Sequence, residues 1–207
     1  MIILFLASQK KGGQLSIPAL LQIDGSQREV LPLGRYLVEL KDIEDKFVTG
    51  KSKKRQEIWI AFCDCLDAVR NAVGSIAEVW IGGSFITSKE EPSDIDVVFL
   101  FAKECYDAAV SGVNTDAKFV FAVLTRNLSI KRIHPLVDGY ALIVPPTEYD
   151  VNGKYEAVYS QQRGYWDQFW SKTRFSDEQN DRWKYPASGY LEVIIDGYGN
   201  HAQKTDG

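Results

Sequence analysis

The spacing of apolar residues along the chain predicts a mixture of helices and strands. The clearest helix covers residues 55–73 and is stopped by Gly74, and its apolar stripe consists of Ile58, Phe62, Leu66 and Val69. Helical spacing also occurs in residues 37–48, 104–113 and 155–174, whereas residues 118–124 suit either a helix or a strand.

Short apolar runs bounded by glycine and polar residues predict the strands. They cover residues 77–83, 94–102, 137–145 and 189–195, and the last of them alternates between apolar and polar positions. Several helices combined with few strands favour an α+β fold with α/β character, in which helices flank a small, mixed, twisted sheet.

The length of 207 residues suits one domain. We expect this domain to cover residues 1–196, with residues 1–50 as an N-terminal extension packed on the core. A flexible tail is expected over residues 197–207, which have no apolar pattern. The apolar residues 1–8 are too few for a membrane span and lack the basic start of a signal peptide, so they predict a short strand or an adventitious extension.

The composition narrows the class of protein. Charged residues make up 25% of the chain and the net charge is -4, which is ordinary for a cytoplasmic protein and argues against a general nucleic-acid coat protein. The 3 cysteines lack framework spacing and fit a reducing compartment. With 2 histidines and no CxxC pair, the sequence offers no credible zinc site.

The residues that indicate chemistry lie in VWIGGSFITSKEEPSDIDVVFLF, residues 79–101. Two aspartates, Asp94 and Asp96, open a predicted strand and share one of its faces, because side chains alternate along a strand. Two such carboxylates repel each other unless a proton or a cation lies between them. Mg²⁺ (or Mn²⁺) prefers oxygen ligands and completes its shell with substrate phosphates, so the pair predicts a metal site.

A glycine–glycine–serine turn, Gly82, Gly83 and Ser84, ends the preceding predicted strand. Glycine lets the backbone approach a ligand closely, and backbone N–H groups beside a serine hydroxyl can hold a phosphate oxygen. The turn could therefore bind phosphate oxygens and the aspartate pair could bind a metal ion. Together these two elements suit in-line attack on a nucleoside triphosphate.

These five residues, in this order and spacing, resemble the motif of the DNA polymerase beta-like nucleotidyltransferase superfamily. The run GGSFITSKEEPSDIDVV is similar to the small bacterial branch, whose members often belong to toxin–antitoxin or phage-defence gene pairs. The flanking VLPLGRYLVELKDIEDKFV, YWDQFWSKTR and SGYLEVII also resemble that branch, so the resemblance covers most of the chain. It implies the polymerase beta-like fold. It also implies an enzyme that moves a nucleotide from an NTP or dNTP to a hydroxyl on a protein side chain or oligonucleotide end, with release of pyrophosphate.

The resemblance also implies a third metal-binding carboxylate on a neighbouring strand. Asp138 is the candidate, with Asp150 and Glu192 as alternatives, although Gly139 departs from the apolar residue that usually follows. The family's Lys-Gly before the last strand is replaced here by Ser188-Gly189, so the phosphate contact would come from Lys172, Arg174 or Lys184.

Several other segments have both a structural and a functional interpretation. The run KSKKR, residues 51–55, has two interpretations. It is either a solvent-exposed helix start or a positively charged surface that attracts phosphates or a nucleic-acid strand. Residues 126–134 carry three basic side chains and a histidine that could line the triphosphate site: Arg126, Lys131, Arg132 and His134. Four aromatic residues on one side of a helix suit core packing or base stacking: Tyr165, Trp166, Phe169 and Trp170. Tyr198 is either a disordered tail residue or an acceptor hydroxyl for self-nucleotidylation.

A chain of this length leaves little room for a separate tRNA-binding or signal-sensing domain, so a cognate effector or toxin protein, or a homo-oligomer, is expected. Two other functions stay open. A non-catalytic nucleotide-binding antitoxin or partner of the same fold would bind a triphosphate without releasing pyrophosphate. A nucleic-acid-binding module would bind in a salt-sensitive way, although the acidic net charge disfavours it.

Overall fold

The computed structural model describes residues 16–23, 28–126, 132–145, 154–172 and 187–198, and within 154–172 it describes the side chains from Val158 onward. Over these ranges the chain has an α+β fold with a mixed five-stranded sheet and a separate two-stranded sheet. The predicted strand or extension at residues 1–8 lies outside the described residues.

The described helices and the four longer strands lie close to the bounds that the sequence predicts. The helices are α1 Leu40–Phe47, α2 Lys53–Val73, α3 Lys103–Ser111, α4 Thr115–Leu124 and α5 Lys154–Trp170. The strands are β1 Leu21–Gln22, β2 Glu29–Val30, β3 Arg35–Leu37, β4 Glu78–Gly82, β5 Ile95–Ala102, β6 Val137–Val144 and β7 Tyr190–Ile194, and a short 3-10 turn covers Ser84–Ile86. The segment left open between helix and strand is the helix α4.

The order of strands in the main sheet is β3-β7-β4-β5-β6. Strand β4 is antiparallel to both of its neighbours, whereas β5 pairs with β6 and β3 pairs with β7 in parallel. The start of β5 therefore lies beside the end of β4 and the start of β6.

The N-terminal segment contributes more to the core than the expected extension would. Its strand β3 is an edge of the main sheet, and Leu31 and Ile43 are fully buried. The sequence pattern missed β3 because its three residues are exposed or half-buried and show no apolar alternation.

The two faces of the main sheet are covered differently. Helices α2 and α4 pack on one face, where Phe101 of β5 meets Phe121 of α4 with ring centroids 4.8 Å apart. The other face carries Trp80, Gly82, Asp96 and Asp138, which the strand register brings to the same side, and we call it the site face. Helix α5 packs on part of it.

No helix in the described ranges is both long and apolar enough to cross a membrane.

Candidate functional site

The glycine–serine turn lies directly against the aspartate pair. Gly82 is the register partner of Asp96 across β4 and β5. Gly83 has φ of 70°, and a Cβ atom built on it would lie 1.7 Å from Oδ2 of Asp96. Only glycine fits there, because a side chain would be strained by the backbone angle and would overlap the carboxylate. The turn and the carboxylate are thus packed as one unit.

Helix α5 covers the end of β4 beside this turn. A Cβ on Gly82 would lie 2.4 Å from the Trp170 ring, so the indole packs flat against the bare backbone. Trp170 is buried, and its indole Nε1 has no hydrogen-bond partner among the described residues. A buried donor without a partner is costly, so this end of the site face has a donor that a bound ligand could satisfy.

The structure places the candidate third carboxylate beside the pair. Asp96 and Asp138 are register partners on the parallel strands β5 and β6, and Asp94 shares their face. Nη2 of Arg132 lies 2.8 Å from Oδ2 of Asp94 and 3.5 Å from Oδ2 of Asp138. One cationic nitrogen therefore bridges two of the three carboxylates.

A second arginine contacts the other side-chain oxygen of Asp138. Arg126 pairs with Oδ1 of Asp138, and its guanidinium lies 4.1 Å from the ring centroid of Tyr140. The Tyr140 ring packs edge-to-face against Trp166 of α5, with ring centroids 4.7 Å apart. The Nη1 atom of Arg126 is buried and has no hydrogen-bond partner among the described residues. Arg126 itself adopts a positive φ of 62°, an uncommon angle for a residue with a side chain.

The electrostatics of this cluster act most clearly on Arg132. Its partial burial favours the neutral form, but the hydrogen bond to Asp94 and the charges of Asp138 and Asp96 outweigh this and raise the pKa of the guanidinium. The Arg132 guanidinium therefore stays positively charged at any pH at which the carboxylates are ionised.

The donor set suits a hard divalent cation. Asp94, Asp96 and Asp138 supply carboxylate oxygens, the ligand type that Mg²⁺ and Mn²⁺ prefer, and the Arg132 nitrogen shows that a positive centre can bridge two of them. In the part of the chain that the structure describes, no three acidic, histidine or cysteine side chains are grouped closely enough to hold a metal ion as they stand.

The loop between the turn and Asp94 is held by Arg55, which the sequence placed in a solvated basic run. Arg55 is 4% exposed and donates hydrogen bonds to four backbone carbonyls, those of Phe47, Phe85, Thr87 and Lys89. For Arg55, both interpretations of KSKKR are wrong, because the side chain lies neither in solvent nor on a charged surface. Nothing in the run marks Arg55 as buried, apart from its helical spacing from the apolar stripe through Ile58 and Phe62.

A cavity of about 800 Å³ lies beside this loop and away from the carboxylates. Its wall includes side chains of both signs of charge, among them Lys46, Lys51, Lys89, Glu29 and Glu90. None of the three candidate aspartates lines it.

The predicted phosphate-binding residues are only partly described. Lys172 is exposed, two residues beyond Trp170, whereas Arg174 and Lys184 lie outside the described residues, as does the alternative carboxylate Asp150. Gly189 is packed tightly, because a Cβ there would lie 2.3 Å from the Pro32 carbonyl oxygen. Ser188 is buried beside it. His134 has a structural contact, accepting a hydrogen bond from the Leu136 N–H at 3.2 Å.

The candidate acceptor Tyr198 does not lie at the three candidate aspartates. Its hydroxyl donates to Oε2 of Glu78 at 3.0 Å, and Glu78 begins β4, the strand whose other end is the glycine turn. Gly197 also donates to the Ala77 carbonyl, so these first two residues of the expected tail are bonded to the domain. Partial burial and the Glu78 charge raise the pKa of Tyr198, so its hydroxyl is harder to ionise there. Residues 199–207 lie outside the described residues.

Glu192, the other alternative carboxylate, lies on the site face but apart from the aspartates. On β7 it pairs in register with Trp80 of β4. Its Oε1 lies 3.6 Å from Nη1 of Arg35 and 3.9 Å from Nη2 of Arg163. Burial and the nearby charge of Glu78 raise the pKa of Glu192 to about 7. This side chain belongs to a second, aromatic and charged cluster under α5.

The aromatic residues of α5 divide between the two interpretations. Trp166 and Trp170 are buried against the sheet, as core packing requires. Tyr165 and Phe169 are exposed and stacked on each other, with ring centroids 5.7 Å apart and ring planes 14° apart. The helix thus contributes to the core with one pair and presents the other pair to solvent.

Comparison with known proteins gives a family but no function. The model of a family of unknown function (DUF6932) matches residues 23–194, and the chain belongs to this family. No curated protein and no solved structure matches the chain.

Proposed function

We propose that this chain is a metal-dependent nucleotidyltransferase. It would move a nucleotide from an NTP or dNTP to a hydroxyl on a protein side chain or oligonucleotide end and release pyrophosphate. The observation that supports the proposal best is the packing of Gly83 on Asp96, which brings the turn that we propose as the phosphate site against one of the candidate metal ligands. The resemblance of the GGS and DID motifs to the polymerase beta-like superfamily supports it independently, and its small bacterial branch suggests a role in phage defence beside a cognate effector or toxin.

In the proposed reaction the acceptor hydroxyl oxygen forms a bond to the α-phosphorus. The bond from that phosphorus to the oxygen bridging the β-phosphate breaks, and pyrophosphate leaves with the electron pair. Asp94, Asp96 and Asp138 would hold Mg²⁺ or Mn²⁺, which when bound offsets charge on the phosphate oxygens.

The residues of the chain would mainly position the two reactants. The Ser84 hydroxyl and the Gly83 backbone would hold the β- and γ-phosphates, and Lys172 and Arg174 could neutralise their charge. The Asp138 carboxylate could assist removal of the acceptor's proton. Positioning and charge stabilisation are expected to supply most of the rate enhancement.

The test uses purified protein with each α-labelled NTP and dNTP and with Mg²⁺ or Mn²⁺. Products are separated on a denaturing gel for the native chain, for Asp94→Asn/Asp96→Asn and for Asp107→Asn. Asp107 is a matched control, because it pairs with Lys103 on α3, away from the site face. We expect a labelled protein band or a ladder that disappears in the double variant and persists in the control.

Two results would contradict the proposal. Label that survives in the double variant would show that the aspartate pair is not the reactive site. Triphosphate binding with no label under any condition, in the presence of candidate acceptors, would instead favour the non-catalytic partner or antitoxin.

A further inference from the structure

The arrangement of charge at the candidate site raises a specific problem. Three carboxylates share the edge of the site face, and two guanidinium groups already pair with two of them, Asp94 and Asp138. A divalent cation cannot take the position between Asp94 and Asp138 while Nη2 of Arg132 lies there. A cation that takes this position therefore requires Arg132 to move.

The two arginines differ in how they are held. Arg126 is fixed by stacking on Tyr140 and by its ion pair with Asp138. Arg132 has the described contacts with Asp94 and Asp138, plus a hydrogen bond from Nη1 to the Pro135 carbonyl at 2.9 Å. Its side chain is 36% exposed, so it can reach solvent without crossing the core.

We propose that Arg132 is an exchangeable counter-ion. It neutralises Asp94 and Asp138 before the donor binds, and it passes to the triphosphate when a cation takes its place between the carboxylates. This inference rests on the proposed function. It adds a cationic phosphate ligand to those that Lys172 and Arg174 would supply. Guanidinium groups suit the task, because they bind phosphate oxygens through two parallel hydrogen bonds.

Arg126 would stay in place during this exchange. Its Nη1 atom, buried and without a hydrogen-bond partner among the described residues, is a donor held at the carboxylate edge for a phosphate oxygen. Arg126 would thus be a fixed hydrogen-bond donor to phosphate, and Arg132 a mobile one. The exchange replaces a single positive charge between Asp94 and Asp138 by a divalent one, and before the exchange both carboxylates are already paired with arginine.

The test measures two ligands separately and without turnover: Mn²⁺ alone, and inorganic tripolyphosphate in the presence of Mn²⁺. The proteins are the native chain, Arg132→Gln, Arg132→Lys and Arg70→Gln. Arg70 is the control, because it lies on α2 and its described ion pair is with Asp196 rather than with the site carboxylates. Circular dichroism and urea unfolding establish that each variant is folded.

We expect opposite effects of Arg132→Gln on the two ligands. Loss of the competing guanidinium should tighten Mn²⁺ binding by about three- to tenfold, as removal of a partly exposed ion pair allows. Tripolyphosphate binding should weaken by roughly tenfold, because a charge-assisted phosphate contact is lost. Arg132→Lys should lie between the native chain and Arg132→Gln, and Arg70→Gln should change neither affinity.

The contradicting results separate this inference from the proposed function. Mn²⁺ binding that is unchanged or weaker in Arg132→Gln would overturn the exchange and leave the transferase intact. Absence of Mn²⁺ binding in both the native chain and Arg132→Gln would overturn the metal-dependent function and the exchange together.

Discussion

At the scale of single residues, the candidate site depends on a glycine rather than on a reactive side chain. Gly83 lets the backbone turn with φ of 70° while the Asp96 carboxylate fills the space of a side chain. Gly50 has nearly the same backbone angle, φ of 69°, and a Cβ atom built on it would have nothing within 4 Å. The two positions therefore share a positive φ, and Gly83 differs in its contact with Asp96.

The first prediction compares alanine at these two glycines. Gly50→Ala should lower the free energy of unfolding by about 1–2 kcal/mol, because alanine is strained at a positive φ. Gly83→Ala should lower it by more, because its Cβ would also overlap the Asp96 carboxylate. Gly83→Ala should also displace Asp96 and lose most of the nucleotidyl transfer and Mn²⁺ affinity, whereas Gly50→Ala should keep both. Urea unfolding and the labelling assay measure the two effects, and equal losses of activity in both variants would show that the contact with Asp96 is unimportant.

The second prediction concerns Glu192, whose pKa of about 7 lies above its ordinary 4.5 because the side chain is buried beside Glu78. Folding therefore favours the protonated form. The stabilisation from this group is complete below about pH 4.5 and is lost as the pH rises through 7. Arg35, Arg163 and Asp167 also face the group and set the size of the effect.

Urea unfolding of the native chain and Glu192→Gln between pH 5 and 8 tests this. The variant stays neutral, so its stability relative to the native chain should increase with pH, by on the order of 2–3 kcal/mol over the whole range. Glu44→Gln, at an exposed position of α1, should give a difference that does not depend on pH. A flat difference for Glu192→Gln as well would mean that Glu192 is ionised throughout.

At the scale of elements, the sequence predicted what depends on local periodicity. The helix α2 and the strands β4 and β5 carry their apolar pattern within a few residues, so their bounds are close to those expected. The proximity of Gly82 to Asp96 could also be predicted, because a short connection joins two adjacent strands. Asp138 was found through the family resemblance, since its register with Asp96 depends on a parallel pairing across α3 and α4.

Other features of the site could not be read from local pattern. The contacts of Arg126 and Arg132 arise from a polar connection between α4 and β6, where no periodicity exists to indicate direction. The burial of Arg55 contradicts the usual behaviour of a run of charges. A guanidinium can be buried when it is surrounded by carbonyl acceptors, and the loop after the glycine turn supplies three of them.

The third prediction follows from that loop. Arg55→Met should lower the free energy of unfolding by about 3–5 kcal/mol, because several carbonyls lose their donor. It should also loosen the Ser84–Ile86 turn and so weaken tripolyphosphate binding. Lys53→Met, in the same basic run but 89% exposed, should change stability by no more than about 0.5 kcal/mol. Equal stability of the two variants, measured by urea unfolding, would show that the carbonyl contacts contribute little.

At the scale of the whole molecule, the site face is assembled from segments distant in sequence. The aspartates come from β5 and β6, the covering aromatic residues come from α5, and the opposite edge strand β3 comes from the N-terminal segment. If all of them belong to one cooperative unit, a defect in the N-terminal segment should destabilise the site without altering its chemistry. Leu31 and Leu33 allow this to be measured, because they are two residues apart and are 0% and 56% exposed.

Leu31→Ala should lower the free energy of unfolding by about 2–5 kcal/mol, the usual cost of a cavity at a fully buried leucine. Leu33→Ala should cost no more than about 1 kcal/mol, because its side chain is already largely in contact with water. Unfolding followed by tryptophan fluorescence and by circular dichroism should give one coincident transition in both variants. Nucleotide transfer per folded molecule should equal that of the native chain, because Leu31 has no part in the carboxylate cluster. An early, separate transition in Leu31→Ala would instead mean that residues 28–38 are an appendage, and that β3 can detach while the aspartates keep their arrangement.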